Sequence, residues 1–347
     1  MTQGLAGVPL SLEPLTKKDY TSDQEVRWCP GCGDYAVLAT FQSMMATLGI
    51  KRENTVIISG IGCSSRFPYY VDTYGMHSIH GRAPSIATGV AISRPDLNVW
   101  VVTGDGDALS IGGNHLMHTL RRNVNVTIML FNNRIYGLTK GQYSPTSELG
   151  KVTKSTPYGS LDTPFNPVSL ALGAEATFVA RTIDSDRKHL AEVLTAAAEH
   201  RGASLVEIYQ NCPIFNDDAF ATLKGPDGVL ISLRHGEPIV FGGGEYCVIR
   251  DAQGEIRVAP TADVDPSHIV VHDETRTDPS QAFALSRLTE PGVLRQAPIG
   301  IFRRVERPTY DDLVRDQIAA VKADDTEAAL KSVIAGSATW EAHERPA

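Results

Sequence analysis

The sequence lacks long apolar runs and has no excess of positive charge. Its apolar stretches are short, such as Val99–Val102, whereas a membrane-spanning helix needs about 20 apolar residues. Residues 1–15 contain neither the basic segment nor the apolar segment of a signal peptide. With 32 Lys and Arg against 40 Asp and Glu, the net charge is −8. We therefore expect no membrane span and no general affinity for nucleic acid or anionic membranes.

Cysteine is also scarce, with five in 347 residues and no regular spacing. Such a chain does not have the dense disulfide framework of small secreted domains. Without that framework and without a signal peptide, a protein of the reducing cytoplasm is expected. Hydrophobic residues make up 42% of the chain, which is enough for a packed core.

Helix-like and strand-like stretches alternate along the first two thirds of the chain. The strand-like stretches are continuous apolar runs, which are typical of a parallel sheet covered by helices on both faces. The pattern predicts an α/β fold with a doubly wound, mostly parallel sheet. The predicted helices are Asp34–Leu48, Pro84–Ser93, Asn114–Arg121 and Asp186–His200, and the predicted strands are Thr55–Ser59, Val99–Thr103, Val126–Leu130 and Ser204–Tyr209.

The composition changes beyond residue 217, where a turn is predicted at residues 224–228. Tyr246–Arg250 and Ile256–Ala259 form a hairpin candidate. Two later helices are predicted, and the first of them should begin after Thr309, because threonine is a favourable N-cap. The chain therefore divides into an N-terminal arm (residues 1–26), an α/β domain (residues 27–217) and a C-terminal extension (residues 218–347).

Four of the cysteines stand in settings that suit an iron–sulfur cluster. Cys29-Pro30-Gly31-Cys32 alone also suits a zinc knuckle or a redox pair, but the sequence has no second C-x-x-C. Proline follows both Cys29 and Cys212, as it follows the last cysteine of bacterial ferredoxin runs. Cys247 has no such setting and is expected to be a structural thiol. The sequence favours a 4Fe–4S cluster on Cys29, Cys32, Cys63 and Cys212, with zinc and plain thiols as the alternatives.

Gly104-Asp105-Gly106-Asp107 follows one predicted strand, and Asn133 follows the next. Glycines let the backbone approach a ligand closely, and a carboxylate at this point can hold Mg²⁺. Adjacent parallel strands would bring Asp105 and Asn133 to the same edge of the sheet. An ordinary turn remains the alternative for Gly-Asp-Gly alone. An EF-hand is excluded because its sixth position would be Ser110, and a Rossmann motif because the third glycine is missing.

Two histidine pairs, His77-x-x-His80 and His115-x-x-His118, have spacings that fit one face of a helix. Zinc usually requires further carboxylate or cysteine ligands, and neither pair has them nearby in sequence. Surface or core histidines are the simpler interpretation.

The order Gly-Asp-Gly, helix, apolar strand and Asn-Asn is a thiamine diphosphate fingerprint. The chain around it resembles the β subunits of 2-oxoacid:ferredoxin oxidoreductases, and within that family the 2-oxoglutarate:ferredoxin oxidoreductases, or 2-oxoglutarate synthases. The resemblance covers about residues 27–220 and says little about residues 227–347. The motifs that carry it are Trp28–Asp34, Gly60–Pro68, His77–Ala83, Gly104–Tyr143 and Gln210–Asp217.

The resemblance implies that the α/β domain is the pyrophosphate domain of a thiamine diphosphate-binding fold. It also matches the four cysteines to the ligands of a 4Fe–4S cluster. Mg²⁺ would be held by Asp105, Asn133 and the main-chain carbonyl of Ile135. His80 and Lys140 are the candidate catalytic residues. The candidate cofactor-binding residues are Gly62, Cys63, Ser64, His80, Gly104, Asp105, Gly106, Asp107, Asn133, Leu138 and Thr139.

The implied reaction is the oxidative decarboxylation of 2-oxoglutarate with coenzyme A to succinyl-CoA and CO₂, with electrons passing through the cluster to ferredoxin. Only one sheet is predicted between residues 27 and 215, so an α subunit is expected to supply the pyrimidine-binding domain and its glutamate, in an α2β2 assembly. One alternative is a pyruvate or broad-range 2-oxoacid oxidoreductase. Two others are a non-redox thiamine enzyme, which would leave the cysteines unexplained, and a non-catalytic, cluster-bearing electron-transfer subunit.

Lys140 follows the predicted Mg²⁺ ligands in a segment where Gly137 and Gly141 predict a loop. A cation there would hinder departure of the C1 carboxylate by stabilising the ground state, but it would favour a distal carboxylate throughout. 2-Oxoglutarate has that second carboxylate and pyruvate lacks it. The sequence therefore predicts a preference for 2-oxoglutarate, with simple solvent exposure of Lys140 as the alternative.

Overall fold

The computed structural model describes residues 3–223, 229–289 and 294–340, which form an eight-stranded sheet, flanking helices and a three-stranded sheet. No helix within these ranges is long and apolar enough to cross a lipid bilayer. The helices are α1 (Asp34–Leu48), α2 (Phe67–Tyr70), α3 (Ala83–Ser93), α4 (Asp105–Leu109), α5 (Gly113–Arg121), α6 (Pro167–Gly173), α7 (Arg187–Glu199), α8 (Ser280–Ser286), α9 (Tyr310–Val321) and α10 (Thr326–Ala335). The strands are β1 (Thr55–Ser59), β2 (Tyr74–His77), β3 (Asn98–Gly104), β4 (Val126–Asn132), β5 (Phe178–Ile183), β6 (Ala203–Tyr209), β7 (Val229–Leu233), β8 (Val240–Phe241), β9 (Tyr246–Arg250), β10 (Ile256–Pro260) and β11 (Gln296–Arg304).

The large sheet has the strand order β2-β1-β3-β4-β6-β5-β11-β7. Each neighbouring pair is parallel except β5 and β11. This topology confirms the predicted doubly wound, mostly parallel α/β fold. The predicted helices and strands of the first two thirds of the chain coincide with observed elements to within two residues at either end.

Helices cover both faces of the sheet, so its central strands are buried on each side. Along β4, Ile128 and Leu130 belong to the core beneath α3, α5 and α6. Met129 and Phe131 belong to the opposite core, beneath α1 and α7. Alternate residues of a strand face opposite sides, and a strand with two buried faces therefore has a continuous apolar sequence.

The region beyond residue 217 adds two strands to the large sheet. β11 pairs antiparallel with β5 and parallel with β7. The predicted hairpin is confirmed, because β9 and β10 pair antiparallel in the small sheet. The predicted N-cap is confirmed as well, since Oγ1 of Thr309 accepts a hydrogen bond from the Asp312 N–H at 3.3 Å. The predicted turn at residues 224–228 lies outside the described residues.

The division into arm, domain and extension stays a prediction, and the large sheet runs across its boundary at residue 217. The carboxyl ends of β1, β3, β4 and β6 meet at one edge of this sheet. In the register of the sheet, Gly104 pairs with Phe131 and Asn132 pairs with Tyr209. Sheets of this kind bind ligands just outside these ends. The segments that follow the four strands therefore define the candidate site.

Candidate active site

Asp105 is a buried acid at the carboxyl end of β3, where α4 begins. Its Oδ2 accepts hydrogen bonds from the hydroxyl of Ser144 at 2.5 Å and from that of Thr146 at 2.6 Å. Burial raises the pKa of Asp105 to about 6, although these two donors act in the opposite direction. Neutral hydroxyls do not compensate a buried charge, so the carboxylate suits a cation as a further partner.

Asp107 fastens two loops to the end of β3. Its Oδ1 accepts hydrogen bonds from the main-chain N–H groups of Ile61 at 3.1 Å and Gly81 at 2.7 Å. The same oxygen lies 2.5 Å from Nδ1 of His80, and Thr103 donates its hydroxyl to Oδ2 at 2.7 Å. The structure thus brings Asp107 and His80 together as a pair. The carboxylate of Asp107 therefore holds the loops after β1 and β2 against the end of β3.

Close contacts require glycine at two positions of this edge. A Cβ on Gly106 would lie 2.1 Å from the ring of Tyr136, whose hydroxyl donates to the Gly106 carbonyl at 3.0 Å. A Cβ on Gly60 would lie 1.8 Å from Oδ2 of Asp107. By contrast, a Cβ on Gly62 would meet no described atom within 4 Å. Open space therefore lies beside Gly62, next to the segment that carries Cys63 and Ser64.

Ser64 is buried and lies against the end of β3. A Cβ on Gly104 would be 3.6 Å from Oγ of Ser64. This ordinary contact distance joins the loop after β1 to the loop after β3. The structure therefore brings together two glycine-containing segments that were predicted to bind the cofactor.

Asn133 and Ile135 follow β4 directly. Nδ2 of Asn133 donates to Oε1 of Gln210 at 2.9 Å, and its Oδ1 accepts from the Ile135 N–H at 3.3 Å. Between them, Arg134 has a φ of +58°, a left-handed conformation that turns the chain sharply. Because β3 and β4 are neighbours, Asp105 and Asn133 leave the sheet at the same edge. The carboxylate oxygens of Asp105 and the amide oxygen of Asn133 suit Mg²⁺, which takes oxygen ligands.

Residues 136–142 form the loop that was predicted around Lys140. The Gly141 N–H donates to the Tyr136 carbonyl at 2.9 Å, and the Lys140 N–H donates to the Gly137 carbonyl at 2.9 Å. Lys140 has a φ of +73°, a conformation that is uncommon for residues other than glycine. The three side chains of this loop that face solvent are Leu138, Thr139 and Lys140.

Two of the four cysteines that were predicted to bind a cluster meet at Gly137. A Cβ on Gly137 would lie 3.5 Å from Sγ of Cys63 and 3.7 Å from Sγ of Cys212. Burial raises the pKa of Cys63 to about 11 and also raises the pKa of Cys212. The loop that follows Asn133 and Ile135 therefore passes beside both thiols.

Cys32 lies at the same end of the sheet, where its Sγ accepts a hydrogen bond from Nε2 of Gln210 at 3.3 Å. Burial raises the pKa of Cys32 as well. Cys29 is exposed, and its carbonyl accepts the Cys32 N–H at 3.1 Å. Trp28 ties this segment to the loop after β1, because its indole N–H donates to the Cys63 carbonyl at 2.7 Å.

Cys247, which was expected to be a structural thiol, lies apart from these groups in the small sheet. Cys247 is fully buried in β9, and its Sγ donates to the Ala259 carbonyl at 3.7 Å. His77 and His80 do not share a helix face, because His77 ends β2 and His80 lies in the turn that follows. Across the ranges that the structure covers, no three His, Cys, Asp or Glu side chains converge as they would around a single metal ion.

Sequence reasoning missed the second layer of contacts around these groups. Thr146 and Ser144 hold Asp105, and the Thr146 hydroxyl oxygen also lies 2.9 Å from Oδ1 of Asn132. Gln210 contacts both Asn133 and Cys32. The polar run Ser144-Pro145-Thr146-Ser147 was a signal for Thr146 and Ser144, since such residues commonly bond neighbouring groups.

Comparisons with known proteins identify relatives of this chain. Residues 60–208 match the thiamine pyrophosphate enzyme, C-terminal TPP binding domain. The chain is 66% identical over 340 residues to the 2-oxoglutarate oxidoreductase subunit KorB of Mycobacterium tuberculosis, which covers 96% of this chain and 91% of the relative. It is 44% identical over 186 residues to the 2-oxoglutarate synthase subunit KorB of Archaeoglobus fulgidus, covering 54% of this chain and 69% of the relative.

A solved structure extends the similarity to three dimensions. The 2-oxoglutarate:ferredoxin oxidoreductase from Magnetococcus marinus, solved with 2-oxoglutarate, coenzyme A and succinyl-CoA bound, superposes with a TM-score of 0.75 at 35% identity. The match covers 94% of this chain and 99% of the other. Because identity is high and coverage nearly complete, the chain belongs to the β subunits of the 2-oxoacid:ferredoxin oxidoreductases.

Proposed function

We propose that this chain is the β subunit of a complex that oxidatively decarboxylates 2-oxoglutarate with coenzyme A, giving succinyl-CoA and CO₂. Electrons pass through a 4Fe–4S cluster on this chain to ferredoxin. The relatives named for 2-oxoglutarate support the substrate, and the thiamine pyrophosphate domain match supports the cofactor. Bound thiamine diphosphate supplies the electron sink for decarboxylation, and a bound cluster takes up electrons singly.

The observation that carries this proposal is the position of Gly137 beside two thiols. Gly137 lies four residues beyond Asn133, and its Cβ position is within 3.7 Å of the sulfurs of both Cys63 and Cys212. A decarboxylation site and a redox centre must be close together if electrons are to pass between them. Here Gly137 follows the candidate metal ligand Ile135 by two residues and lies beside the candidate cluster ligands Cys63 and Cys212.

The types of ligand atom in this chain suit both Mg²⁺ and a 4Fe–4S cluster. Asp105 and Asn133 offer oxygen atoms, with the Ile135 carbonyl as the third ligand, which suits Mg²⁺ holding a diphosphate. Cys29, Cys32, Cys63 and Cys212 offer sulfur, and four thiolates are the usual ligands of a 4Fe–4S cluster. Zinc on the same cysteines is the alternative.

A partner subunit completes the site. The large sheet accounts for one half of a thiamine diphosphate site, and an α subunit is proposed to supply the pyrimidine-binding domain and its glutamate in an α2β2 complex. The complex is proposed to act in the cytoplasm, and the described chain contains no helix that could span a membrane. Pyruvate or other 2-oxoacids are the alternative substrates, and they differ from 2-oxoglutarate in lacking a distal carboxylate.

The test uses the complex purified without oxygen after expression with its partner subunit. Iron, sulfide and thiamine diphosphate are assayed in one sample, and reduction of a viologen dye is followed with 2-oxoglutarate and coenzyme A, or with pyruvate and coenzyme A. We expect all three components and faster reduction with 2-oxoglutarate. The variant Asp105→Asn should keep iron but lose thiamine diphosphate and activity. Absence of iron and sulfide from the wild-type complex would overturn the proposal.

A further inference from the structure

Gln210 contacts both of the ligand sets proposed above. It follows β6 directly and is almost completely buried, with 1% of its surface exposed. Its Oε1 accepts a hydrogen bond from Nδ2 of Asn133 at 2.9 Å, and its Nε2 donates to Sγ of Cys32 at 3.3 Å. A single side-chain amide therefore joins a candidate Mg²⁺ ligand to a candidate cluster ligand.

The orientation of this amide is determined by its partners. Nε2 has two acceptors beside it, the Cys32 sulfur and the Asn211 carbonyl, whereas Oε1 faces an N–H donor of Asn133. Rotating the amide by half a turn would set oxygen against two acceptors and nitrogen against a donor, which is unfavourable. The main-chain N–H of Gln210 also donates to the Asn132 carbonyl at 3.0 Å. Both ends of the residue are thus fixed to the sheet edge.

The same contact determines the orientation of Asn133. Because its Nδ2 is bonded to Gln210, its oxygen Oδ1 must lie on the other side of the amide, where it accepts from the Ile135 N–H at 3.3 Å. An asparagine can bind Mg²⁺ only through this oxygen. Gln210 therefore keeps the oxygen, and not the nitrogen, available to a metal.

We propose that Gln210 is a positioning residue with two separable effects, an inference that rests on the function proposed above. Through Asn133 it strengthens Mg²⁺-dependent binding of thiamine diphosphate. Through the N–H to Cys32 it raises the reduction potential of the cluster, because hydrogen bonds to ligand sulfurs favour the reduced, more negative state. Residues in this outer position typically change metal affinity by about 10–100-fold when they are removed.

The test is Gln210→Met in the complex purified with its partner subunit. This side chain has a similar length, cannot donate to Cys32, and offers Asn133 only a weakly accepting sulfur in place of the amide oxygen. We expect the Kd for thiamine diphosphate at fixed Mg²⁺ to rise about tenfold or more. In protein that lacks thiamine diphosphate but retains the cluster, we expect the midpoint potential of the cluster to shift to a lower value. Electron paramagnetic resonance during a redox titration measures this potential. Should Gln210→Met fail to fold, Gln210→Asn replaces it, since its amide is too short to span both partners.

Two further variants separate these effects from general damage. Asn133→Ala should weaken thiamine diphosphate binding without changing the midpoint potential, because Gln210 still donates to Cys32. Gln42→Met removes another buried amide, one that donates to the Tyr70 carbonyl at 2.9 Å, and should change neither quantity. A wild-type complex without iron would refute the proposed function itself. An iron-loaded Gln210 variant with wild-type Kd and wild-type potential would refute the role of Gln210 alone.

Discussion

Thr146 donates its hydroxyl to Oδ2 of Asp105 at 2.6 Å, across 41 positions of sequence. The loop after β4 thereby holds the acid at the end of β3. Its Oγ1 also lies 2.9 Å from Oδ1 of Asn132. One hydroxyl thus joins the ends of two adjacent strands, and it helps to fix the position of the carboxylate.

Thr146→Val retains the shape of the side chain and removes this hydroxyl. We expect Mg²⁺-dependent binding of thiamine diphosphate to weaken by about tenfold, because the carboxylate loses one of its two side-chain donors. Thr146→Ser should restore most of the affinity. Thr47→Val, at an exposed position of α1, is the matched control. Titration of each complex with thiamine diphosphate gives the Kd, and equal values for Thr146→Val and wild type would contradict the expectation.

Lys140 is expected to read the distal carboxylate of 2-oxoglutarate. A charge-assisted hydrogen bond is worth roughly 1.5–3 kcal/mol, so Lys140→Ala should lower kcat/KM for 2-oxoglutarate by about 10–150-fold. Pyruvate and 2-oxobutyrate have no such group and should be affected much less. Lys140→Arg keeps the cation and should retain part of the preference. Lys188→Ala, at an exposed position of α7, should be neutral. Equal losses for all three acids would assign Lys140 to the loop or to the cofactor.

Single Cys→Ser variants should divide the five cysteines into two groups. Cys29, Cys32, Cys63 and Cys212 are each expected to be needed for full iron content and for the broad visible absorbance. Cys247→Ser should retain both, because this thiol lies in the small sheet and bonds the Ala259 carbonyl. Iron analysis of the five purified variants decides the matter. Loss of iron from Cys247→Ser with retention in Cys212→Ser would reverse the assignment.

A buried ion pair supports the site from inside the sheet. Nε of Arg181 lies 2.6 Å from Oε2 of Glu207, and Oε1 of Glu207 accepts from Nδ2 of Asn132 at 2.7 Å. Glu207→Gln leaves the Arg181 charge buried without its counter-ion, which typically costs about 3–5 kcal/mol. Asp96→Asn disrupts an exposed pair with Arg94 and should cost less than about 1 kcal/mol. Thermal unfolding should show a large fall in Tm for the first variant and little change for the second.

His200 should make stability depend on acidity. It is buried, its Nε2 lies 2.8 Å from Oγ1 of Thr177, and burial lowers its pKa to about 4. Because the unfolded chain protonates near 6.5, the stabilisation from the neutral ring is complete above pH 6.5. It is lost as the pH falls toward 4, by an amount on the order of 3 kcal/mol.

His200→Gln keeps a side chain that can donate to Thr177 and removes the titration. We expect Tm of this variant to fall less steeply than that of wild type between pH 6.5 and pH 4. Measurements of Tm across this range provide the check. Parallel curves for the two proteins would show that His200 does not account for the acid sensitivity.

Elements with a strong local pattern could be predicted from sequence. α1 and β1 begin and end at the predicted residues, since their apolar patterns are bounded by glycine or polar residues. β5 was missed because Arg181, which is charged, interrupts its apolar run. Its partner Glu207 lies 26 positions away, so no short window reveals that the charge is compensated.

The candidate site could likewise be predicted only in part from the sequence. Asp105 and Asn133 could be paired because the carboxyl ends of neighbouring parallel strands share one edge. The contacts of Gln210 with Asn133 and Cys32 span 77 and 178 positions of sequence, so they depend on tertiary structure alone. The spacing of His77 and His80 fits a helix face, but His77 ends a strand and His80 lies in a turn. A spacing of three residues alone does not distinguish these two structures.

The pairing of β11 with β5 has a consequence for shortened forms of this protein. All six residues of β5, Phe178–Ile183, are buried in the complete sheet. A chain that stopped at residue 217 would expose the hydrogen-bonding groups of this otherwise buried strand along an open edge. Such an edge readily recruits strands from other molecules, so insoluble aggregates rather than a smaller soluble domain should result. The last third of the chain thus protects the sheet against self-association.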